Sequence, residues 1–230
     1  MTDQAHEHEI LRYRRNQRLV HALLASSFLL LLLTGLLLLW GPLSFLAAGG
    51  NSRWLHRVGA IGFMAVPFAY LLSDRAGAKE LLVESFKYDS DDIEWLKHLV
   101  KYVFGRASEM PPQGRLNAGQ KLHHAAVIVV SATIVLSGLA MWFIKPTLGE
   151  AGLAWTAIVH DLSMLALTLL LVGHLYFTYV YDALSSMTTG YVDEDEARLE
   201  HSKWVAELEA EQAPETSAAE PETADTANTV

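Results

Sequence analysis

Long apolar runs are the feature that most constrains this chain. The run from Arg18 to Trp40 is almost unbroken, and about 20 mostly apolar residues can cross a bilayer as a helix. A helix that is apolar around its whole circumference cannot be covered at the surface of a soluble domain. The 51% hydrophobic content of the 230 residues therefore indicates membrane spans rather than soluble domains.

The sequence predicts an all-α integral membrane protein built as a four-helix bundle. The first apolar run has no small-residue cleavage site and is longer than the apolar part of a signal peptide, so we expect it to be a retained span. The transmembrane domain then covers 19–205 and follows an N-terminal arm at 1–18. The four spans are predicted at about 19–40, 54–73, 122–144 and 153–181.

The distribution of Lys and Arg predicts the orientation of the bundle, because cytoplasmic loops carry an excess of these residues. The arm has four arginines between residues 12 and 18, and the segment from Asp74 to Lys121 has eight Lys or Arg residues. The two remaining loops hold only Arg53 and Lys145. We therefore expect a multi-pass protein of the cell inner membrane, with both termini and the middle segment in the cytoplasm.

Two segments outside the spans have distinct compositions. Residues Ile93 to Phe104 place apolar groups at helical spacing with Lys and His between them, which predicts a cytoplasmic interfacial helix on the membrane surface. The acidic tail at 206–230 is rich in Ala, Glu, Thr and Pro, so we expect it to be disordered. The tail carries much of the formal net charge of −9, and nothing indicates nucleic-acid binding.

The histidines are the strongest functional signal, because polar side chains inside a bilayer are costly and usually functional. His21 lies near the predicted inner end of the first span, and His56 lies near the outer start of the second. His160 and His174 lie in the outer and inner parts of the fourth span. Their interval of 14 residues corresponds to about 21 Å along a helix and about 40° around it. One helix thus presents two imidazoles on nearly the same face at different depths.

Depth then pairs these histidines. His56 pairs with His160 at the outer face, and His21 pairs with His174 at the inner face. Neutral imidazole is an axial ligand of haem iron, and helical bundles build cofactor sites from facing side chains. The pattern predicts two b-type haems. The alternative is a haem-free membrane anchor or transporter with hydrogen-bonded interfacial histidines. The absence of cysteine excludes iron–sulfur clusters held by this chain.

Further polar residues lie beside the two predicted haems. Arg53, Arg57 and Lys145 at the outer edge can pair with haem propionates, or can extend along the helix surface to reach water. His123 and His124 begin the third span and can pass protons.

The segment before the third span has two interpretations. Asn117 and Gln120 carry amides that can hydrogen-bond a quinone carbonyl, and Gly119 lets the backbone approach the ring. The same residues also fit an ordinary polar helix start with Asn117 as the N-cap.

Five short motifs carry a resemblance to a known family. They are RLVH at 18–21, RWLH at 53–56, NAGQK at 117–121, AIVH at 157–160 and VGHLY at 172–176. In these motifs, the chain resembles the cytochrome b (gamma) subunit of membrane-bound respiratory formate dehydrogenase. The resemblance covers residues 10–204. That subunit belongs to a wider group of di-haem cytochromes b, which includes the hydrogenase cytochrome b subunits.

The resemblance implies a four-helix bundle with cytoplasmic termini and the same two histidine pairs. It also implies a quinone site at Asn117, Gly119, Gln120 and His174, with menaquinone or ubiquinone as the substrate. A molybdenum or tungsten catalytic subunit would oxidise formate, so formate chemistry is not on this chain, and an iron–sulfur subunit would deliver the electrons. Hydrogenase or another molybdoenzyme is the alternative partner.

Overall fold

The computed structural model describes residues 8–47, 49–104, 106, 110–181 and 183–217. These residues form two short strands and eleven α-helices, with two short 3₁₀ turns between the long helices. In chain order the elements are β1 (Glu9–Leu11), α1 (Arg15–Leu39), α2 (Ser44–Ala47), α3 (Asn51–Ser73), α4 (Arg75–Phe86), α5 (Ser90–Lys97), α6 (Leu99–Val103), α7 (Ala118–Phe143), α8 (Gly149–Val180), α9 (Leu184–Thr188), β2 (Tyr191–Asp193), α10 (Glu194–Glu200) and α11 (Ser202–Ser217).

The four predicted spans are confirmed as α1, α3, α7 and α8, which are long and apolar enough to cross a membrane. Each begins a few residues before its predicted start and ends within one residue of its predicted end. Large apolar side chains point away from the bundle, as Leu33 and Trp155 show with exposures of 62% and 68%. Such a surface is suited to lipid rather than water.

The spans form two helical hairpins, one of α1 with α3 and the other of α7 with α8. Small polar residues are buried along the hairpins, including Thr34, Ser52, Ser137 and Ser163. Small side chains at helix contacts let neighbouring helices approach closely in a membrane protein. We call the end at which each hairpin turns, around residues 40–50 and 144–148, the hairpin end. The opposite end carries both chain termini and is called the terminal end.

The terminal end is covered by a small extramembrane unit, which we call the cap and define as residues 8–14, 74–104, 106, 110–117 and 183–217. Within it, β1 and β2 pair antiparallel with Ile10 opposite Val192. Trp204 and Val205 of α11 pack on Val192 and Ala197 in one buried cluster. The cap thus ties the two ends of the described chain together at one end of the bundle.

The single interfacial helix predicted at 93–104 is not confirmed. The segment is divided at His98 into α5 and α6, where the His98 ring makes a hydrogen bond of 2.9 Å to the carbonyl of Glu94. Trp95 and Tyr102 are 1% and 6% exposed and pack against Ala118. These aromatic residues therefore form protein core, whereas Val100 and Phe104 of the same segment are 69% and 78% exposed.

The predicted disordered tail also differs from the structure in part. Residues 206–217 belong to α11, which is anchored by the buried residues Trp204 and Val205 just before them. The remaining residues of the predicted tail, 218–230, and the first seven residues of the predicted arm lie outside the described residues.

Candidate functional site

The hairpin end brings together the first predicted histidine pair. The ring centroids of His56 in α3 and His160 in α8 lie 6.4 Å apart, with an angle of 62° between the ring planes. One histidine comes from each helical hairpin. The two rings therefore face each other across the interface between the hairpins.

Hydroxyl groups orient both of these rings. Nδ1 of His56 lies 2.9 Å from the hydroxyl of Thr34, which itself donates to the carbonyl of Leu30. Nδ1 of His160 lies 3.1 Å from the hydroxyl of Ser137, which likewise donates to a backbone carbonyl. Because each hydroxyl hydrogen is already used, Nδ1–H of each ring is the donor, and Nε2 keeps a free lone pair. This tautomer is the one in which Nε2 can bind a metal ion.

Two glycines lie beside the same rings, and Gly138 makes room for one of them. A Cβ atom added at Gly35 would lie 3.6 Å from Cε1 of His56, and one at Gly138 would lie 3.1 Å from Cε1 of His160. Gly35 follows Thr34 and Gly138 follows Ser137 in the sequence. A hydroxyl residue followed by glycine thus contacts the histidine in both hairpins.

A cavity of about 370 Å³ extends around this pair. Arg53 and Arg57 line it, as the prediction of propionate partners requires, and the guanidinium of Arg57 lies 5.2 Å from the centre of the Trp142 ring. Lys145, the third predicted partner, lies in the turn after α7 and is absent from the described cavity lining. The cavity combines a mostly apolar wall with three charged lining residues, Arg53, Arg57 and Asp161.

The terminal end brings together the second predicted pair. The ring centroids of His21 in α1 and His174 in α8 lie 6.1 Å apart. The ring of His123 stacks on that of His174, with centroids 5.3 Å apart and planes within 16°. His124 is the next residue, and its Nδ1 is buried without a partner among the described residues. Four imidazoles thus gather at this end of the spans.

Both pairs pass a simple distance test for a bis-histidine haem. A metal–imidazole nitrogen bond is about 2 Å long, and the nitrogen lies about 1 Å from the ring centre, so opposing ligands of one iron have centroids about 6 Å apart. The measured separations are 6.4 Å and 6.1 Å. At the hairpin end, the free Nε2 lone pairs and the cavity also fit the cofactor. The residues present therefore suit haem.

The predicted quinone residues lie at the start of α7. Asn117 and Gln120 form a reciprocal cap, in which each side-chain oxygen accepts from the backbone N–H of the other residue at 2.9–3.1 Å. Asn117 is only 2% exposed. A Cβ atom at Gly119 would lie 2.7 Å from the Trp95 ring. The N-cap role is therefore present in the structure, and quinone binding at these residues stays a prediction.

Arg12 connects this segment to the cap. One of its terminal nitrogens donates to Oε1 of Gln120 at 3.4 Å and lies 2.8 Å from Nε2 of His201. Nδ1 of His201 lies 2.8 Å from the carbonyl of Gly114. Burial, and then the neighbouring Arg12, lower the pKa of His201 to about 3, so that its ring is neutral. Three distant parts of the sequence thus meet beside Gln120.

Thr34 and Ser137 were not among the residues singled out from the sequence. Their signal is the pairing of a hydroxyl residue with glycine, Thr34-Gly35 and Ser137-Gly138, at matching positions in the first helix of each hairpin. A hydroxyl residue inside a span commonly bonds its own helix backbone, so the pattern alone does not reveal that each hydroxyl also orients a ring on a neighbouring helix.

Comparison with known proteins identifies relatives along most of the chain. The family described as prokaryotic cytochrome b561 matches residues 12–190. The formate dehydrogenase cytochrome b556(fdo) subunit of Escherichia coli K12 is 25% identical over 208 residues, which cover 86% of this chain and 93% of that protein. The nitrate-inducible formate dehydrogenase cytochrome b556(Fdn) subunit of the same strain is 22% identical, with coverages of 89% and 94%. The formate dehydrogenase cytochrome b556 subunit of Haemophilus influenzae is 21% identical, with coverages of 86% and 83%.

Proposed function

The chain belongs to the prokaryotic cytochrome b561 family, and from this membership we propose that it is the membrane-anchoring cytochrome b subunit of a formate dehydrogenase-like respiratory complex. In this role it binds two haem b groups and carries electrons from an iron–sulfur subunit at the hairpin end to quinone at the terminal end. A molybdenum or tungsten subunit of the complex oxidises formate. The names of the relatives support formate dehydrogenase over hydrogenase as the partner.

The observation that carries the proposal is the position of the two histidine pairs. Each pair has the centroid separation that one iron requires, and α8 supplies one histidine to each pair. His160 and His174 are separated by about 21 Å along that helix. The two sites therefore lie on one path through the bundle, near opposite ends of the spans.

Haem b, when bound, supplies a one-electron redox centre. At the hairpin end, Thr34 and Ser137 hold the Nδ1 atoms of His56 and His160, so the Nε2 atoms are the ones that would bind the iron. Arg53 and Arg57 line the cavity and would pair with the haem propionates. At the terminal end, His123 packs on His174, and it restricts the plane of that ring.

The orientation of the bundle follows the charge distribution. The arm and the cap carry most of the Lys and Arg residues outside the spans, which favours a cytoplasmic terminal end. The iron–sulfur partner then docks on the outer side, at the hairpin end. Quinone reduction at the terminal end takes its protons from the cytoplasm.

The quinone site is proposed beside the terminal-end pair, at Asn117, Gly119, Gln120 and His174. Gln120 lies about one helical turn before His123, whose ring contacts His174. An amide at that place can donate a hydrogen bond to a quinone carbonyl. Gln120→Glu is a sharp test, because it keeps an acceptor oxygen for Asn117 and Arg12 but removes the amide N–H donor. Quinol formation should slow while haem reduction by the partner persists, and unchanged rates of both would contradict the assignment.

The whole proposal is tested on the complex isolated from its native membrane through a tag on this chain. Addition of formate should reduce two b-type haems, which the α-band reports, and menadione or decyl-ubiquinone should then reoxidise them. Reduction by hydrogen but not by formate would establish the hydrogenase alternative. A chain that is isolated without haem would support the membrane anchor or transporter.

A further inference from the structure

Glu200 is a partly buried carboxyl group in the cap to which the proposed function gives no role. It is the last residue of α10 and lies beyond the residues matched by the family, 12–190. Its Oε2 accepts a hydrogen bond of 3.2 Å from the hydroxyl of Tyr102. Charged side chains are seldom buried in protein without a partner, so this carboxyl group needs an explanation.

Tyr102 links Glu200 to the start of α7. Its hydroxyl oxygen accepts a hydrogen bond of 3.3 Å from Nδ2 of Asn117. Its ring is 6% exposed and stacks on Tyr181, with centroids 4.3 Å apart and planes within 4°, so the hydroxyl is held in place. A continuous chain of hydrogen bonds thus runs from a carboxyl group in the cap to a residue of the proposed quinone site.

The surroundings of Glu200 favour the protonated acid. Burial is the main cause, the charge of Glu196 acts in the same direction, and the Tyr102 hydroxyl and Arg12 oppose it, with the result that the pKa of Glu200 rises to about 7. The carboxyl group can therefore gain and lose a proton near neutral pH. Burial and the adjacent Glu200 also raise the pKa of Tyr102, so that the phenol stays neutral and can only relay a proton.

We propose that Glu200 stores the proton that quinone reduction consumes at the terminal end, and that the hydroxyl of Tyr102 relays it. This inference rests on the proposed function. Reduction of one quinone takes two electrons, which arrive through the haems, and two protons. For each proton, the Tyr102 hydroxyl, which donates to Glu200 in the structure, turns its own proton to a bridging water that passes a proton to the quinone oxygen. The Tyr102 oxygen takes up the proton of Glu200 at the same time. Glu200 is left as a carboxylate and is protonated again from cytoplasmic water.

Asn117 supplies the geometric connection to the quinone. Its Nδ2 carries two hydrogens, of which one is donated to Tyr102, and its Oδ1 is fixed by the N–H of Gln120. None of the described residues accepts the second hydrogen of Nδ2, and we assign it to a quinone carbonyl. Two acceptors of one NH₂ group lie about 5 Å apart, since each hydrogen bond is about 3 Å long, and one water molecule can bridge that distance.

The test uses Glu200→Gln in the full complex. Glutamine keeps the size of the side chain and an acceptor for Tyr102 but holds no transferable proton. Haems are first reduced with formate, and their reoxidation by menadione is followed by stopped-flow absorbance between pH 5.5 and 8.5. In the unchanged complex the rate should fall as the pH rises through about 7. In the variant the rate at pH 6 should be about one tenth of the wild-type rate or lower. The fall in rate with rising pH should be absent.

Two further variants make the test specific. Tyr102→Phe keeps the ring stack but removes the relay, so it should reproduce the slow, pH-independent reoxidation. Glu207→Gln removes an exposed carboxyl group of α11 and should leave the rate unchanged. All variants should keep two haems that formate reduces.

The outcomes separate this inference from the proposed function. An unchanged rate and pH profile in either Glu200→Gln or Tyr102→Phe would overturn the proton path and leave the cytochrome function intact. A wild-type complex whose haems menadione does not reoxidise would instead contradict quinone reduction itself. A carboxylic-acid band in the infrared spectrum at pH 6 that is lost in Glu200→Gln would support proton storage directly.

Discussion

The two histidine pairs have almost the same ring separation but are built in different ways. At the hairpin end, each helical hairpin contributes equivalent residues, with Thr34 orienting His56 and Ser137 orienting His160. At the terminal end, His21 comes from the first helix of one hairpin and His174 from the second helix of the other. Among the described residues, no hydroxyl group orients these two rings, and His123 packs on one of them instead.

Sequence intervals show where this symmetry is lost. His21 lies thirteen residues before Thr34, and His124 lies thirteen residues before Ser137. The position that corresponds to His174 in the first hairpin is occupied by Tyr70. Only one histidine pair across the hairpins therefore remains at the terminal end. His124 has no histidine partner in the first hairpin, because the corresponding position is Tyr70.

The difference indicates a division of roles. At the hairpin end, hydroxyl groups hold the Nδ1 atoms of both rings, which suits a site that only exchanges electrons. The terminal-end pair lies beside the cap, where Glu200 and His201 are partly or fully buried. Ionisable groups near the second site suit a reaction that also takes up protons.

The largest expected effect comes from removing one ligand of each pair. His160→Ala should remove the hairpin-end haem and His174→Ala the terminal-end haem, because each pair stands at a distance that only one iron can bridge. Haem content by pyridine haemochrome should fall from two to one per chain in both variants. Loss of both haems from either variant, in protein that is still folded in the membrane, would show that the sites are not independent.

The hydroxyl contacts should have the next largest effect. Thr34→Val removes the hydroxyl partner of Nδ1–H of His56, and loss of such a contact typically lowers metal affinity by about 10–100-fold. Ser137→Ala should have a smaller effect, because the carbonyl of Ile134 still lies 3.1 Å from Nδ1 of His160. Competition with apomyoglobin should show faster haem loss from the hairpin end alone. Ser163→Ala serves as the control. It removes a buried hydroxyl group on α8, and this variant should keep both haems.

The pH dependence of cap stability should be smaller but distinct. Because burial beside Arg12 lowers the pKa of His201 to about 3 from a usual value of 6.5, its contribution to stability is complete above pH 6.5 and is lost as the pH falls. Glu200 acts in the opposite sense between pH 4.5 and about 7. Below pH 4.5 the Glu200 effect ends, and the His201 effect continues with a slope of up to about 1.4 kcal/mol per pH unit. Below pH 3.8 it is joined by a loss of stability at Asp89, whose pKa is lowered to about 2 mainly by its hydrogen bond with Lys203.

His201→Gln should reduce that acid dependence but leave the part due to Asp89, since glutamine can bond Arg12 and Gly114 without gaining a charge. Hydrogen exchange of the β1–β2 amides at pH 3.5 to 6 measures it. The amides of the spans should exchange at unchanged rates. An identical acid dependence in the variant would mean that other groups of the cap control its stability.

The smallest effect is expected at His123. His123→Ala removes the ring that stacks on His174, and an aromatic pair contributes about 0.5–1.5 kcal/mol. Haem affinity at the terminal end should fall about threefold to tenfold, while His123→Phe keeps the stack and should retain it. If both substitutions change affinity equally, the stack does not support His174.

The long spans and the approach of the paired histidines follow from the sequence, because helix rise alone fixes the depth of His160 and His174. Their role as haem ligands stays a prediction. The contact of Glu200 with Tyr102 joins residues 98 positions apart and has no local signal. The division of the segment 93–104 at His98 could not be predicted either, because the spacing of the buried Trp95 and Tyr102 is compatible with one amphipathic helix.

The most direct test of the central claim is an anaerobic redox titration of the isolated complex, read at the b-type α-band, together with haem-to-chain stoichiometry. We expect two haems per chain and two separate one-electron transitions, of which His174→Ala loses one and His160→Ala loses the other. A single haem per chain, or one transition that both variants abolish, would contradict the account of two independent sites joined by α8.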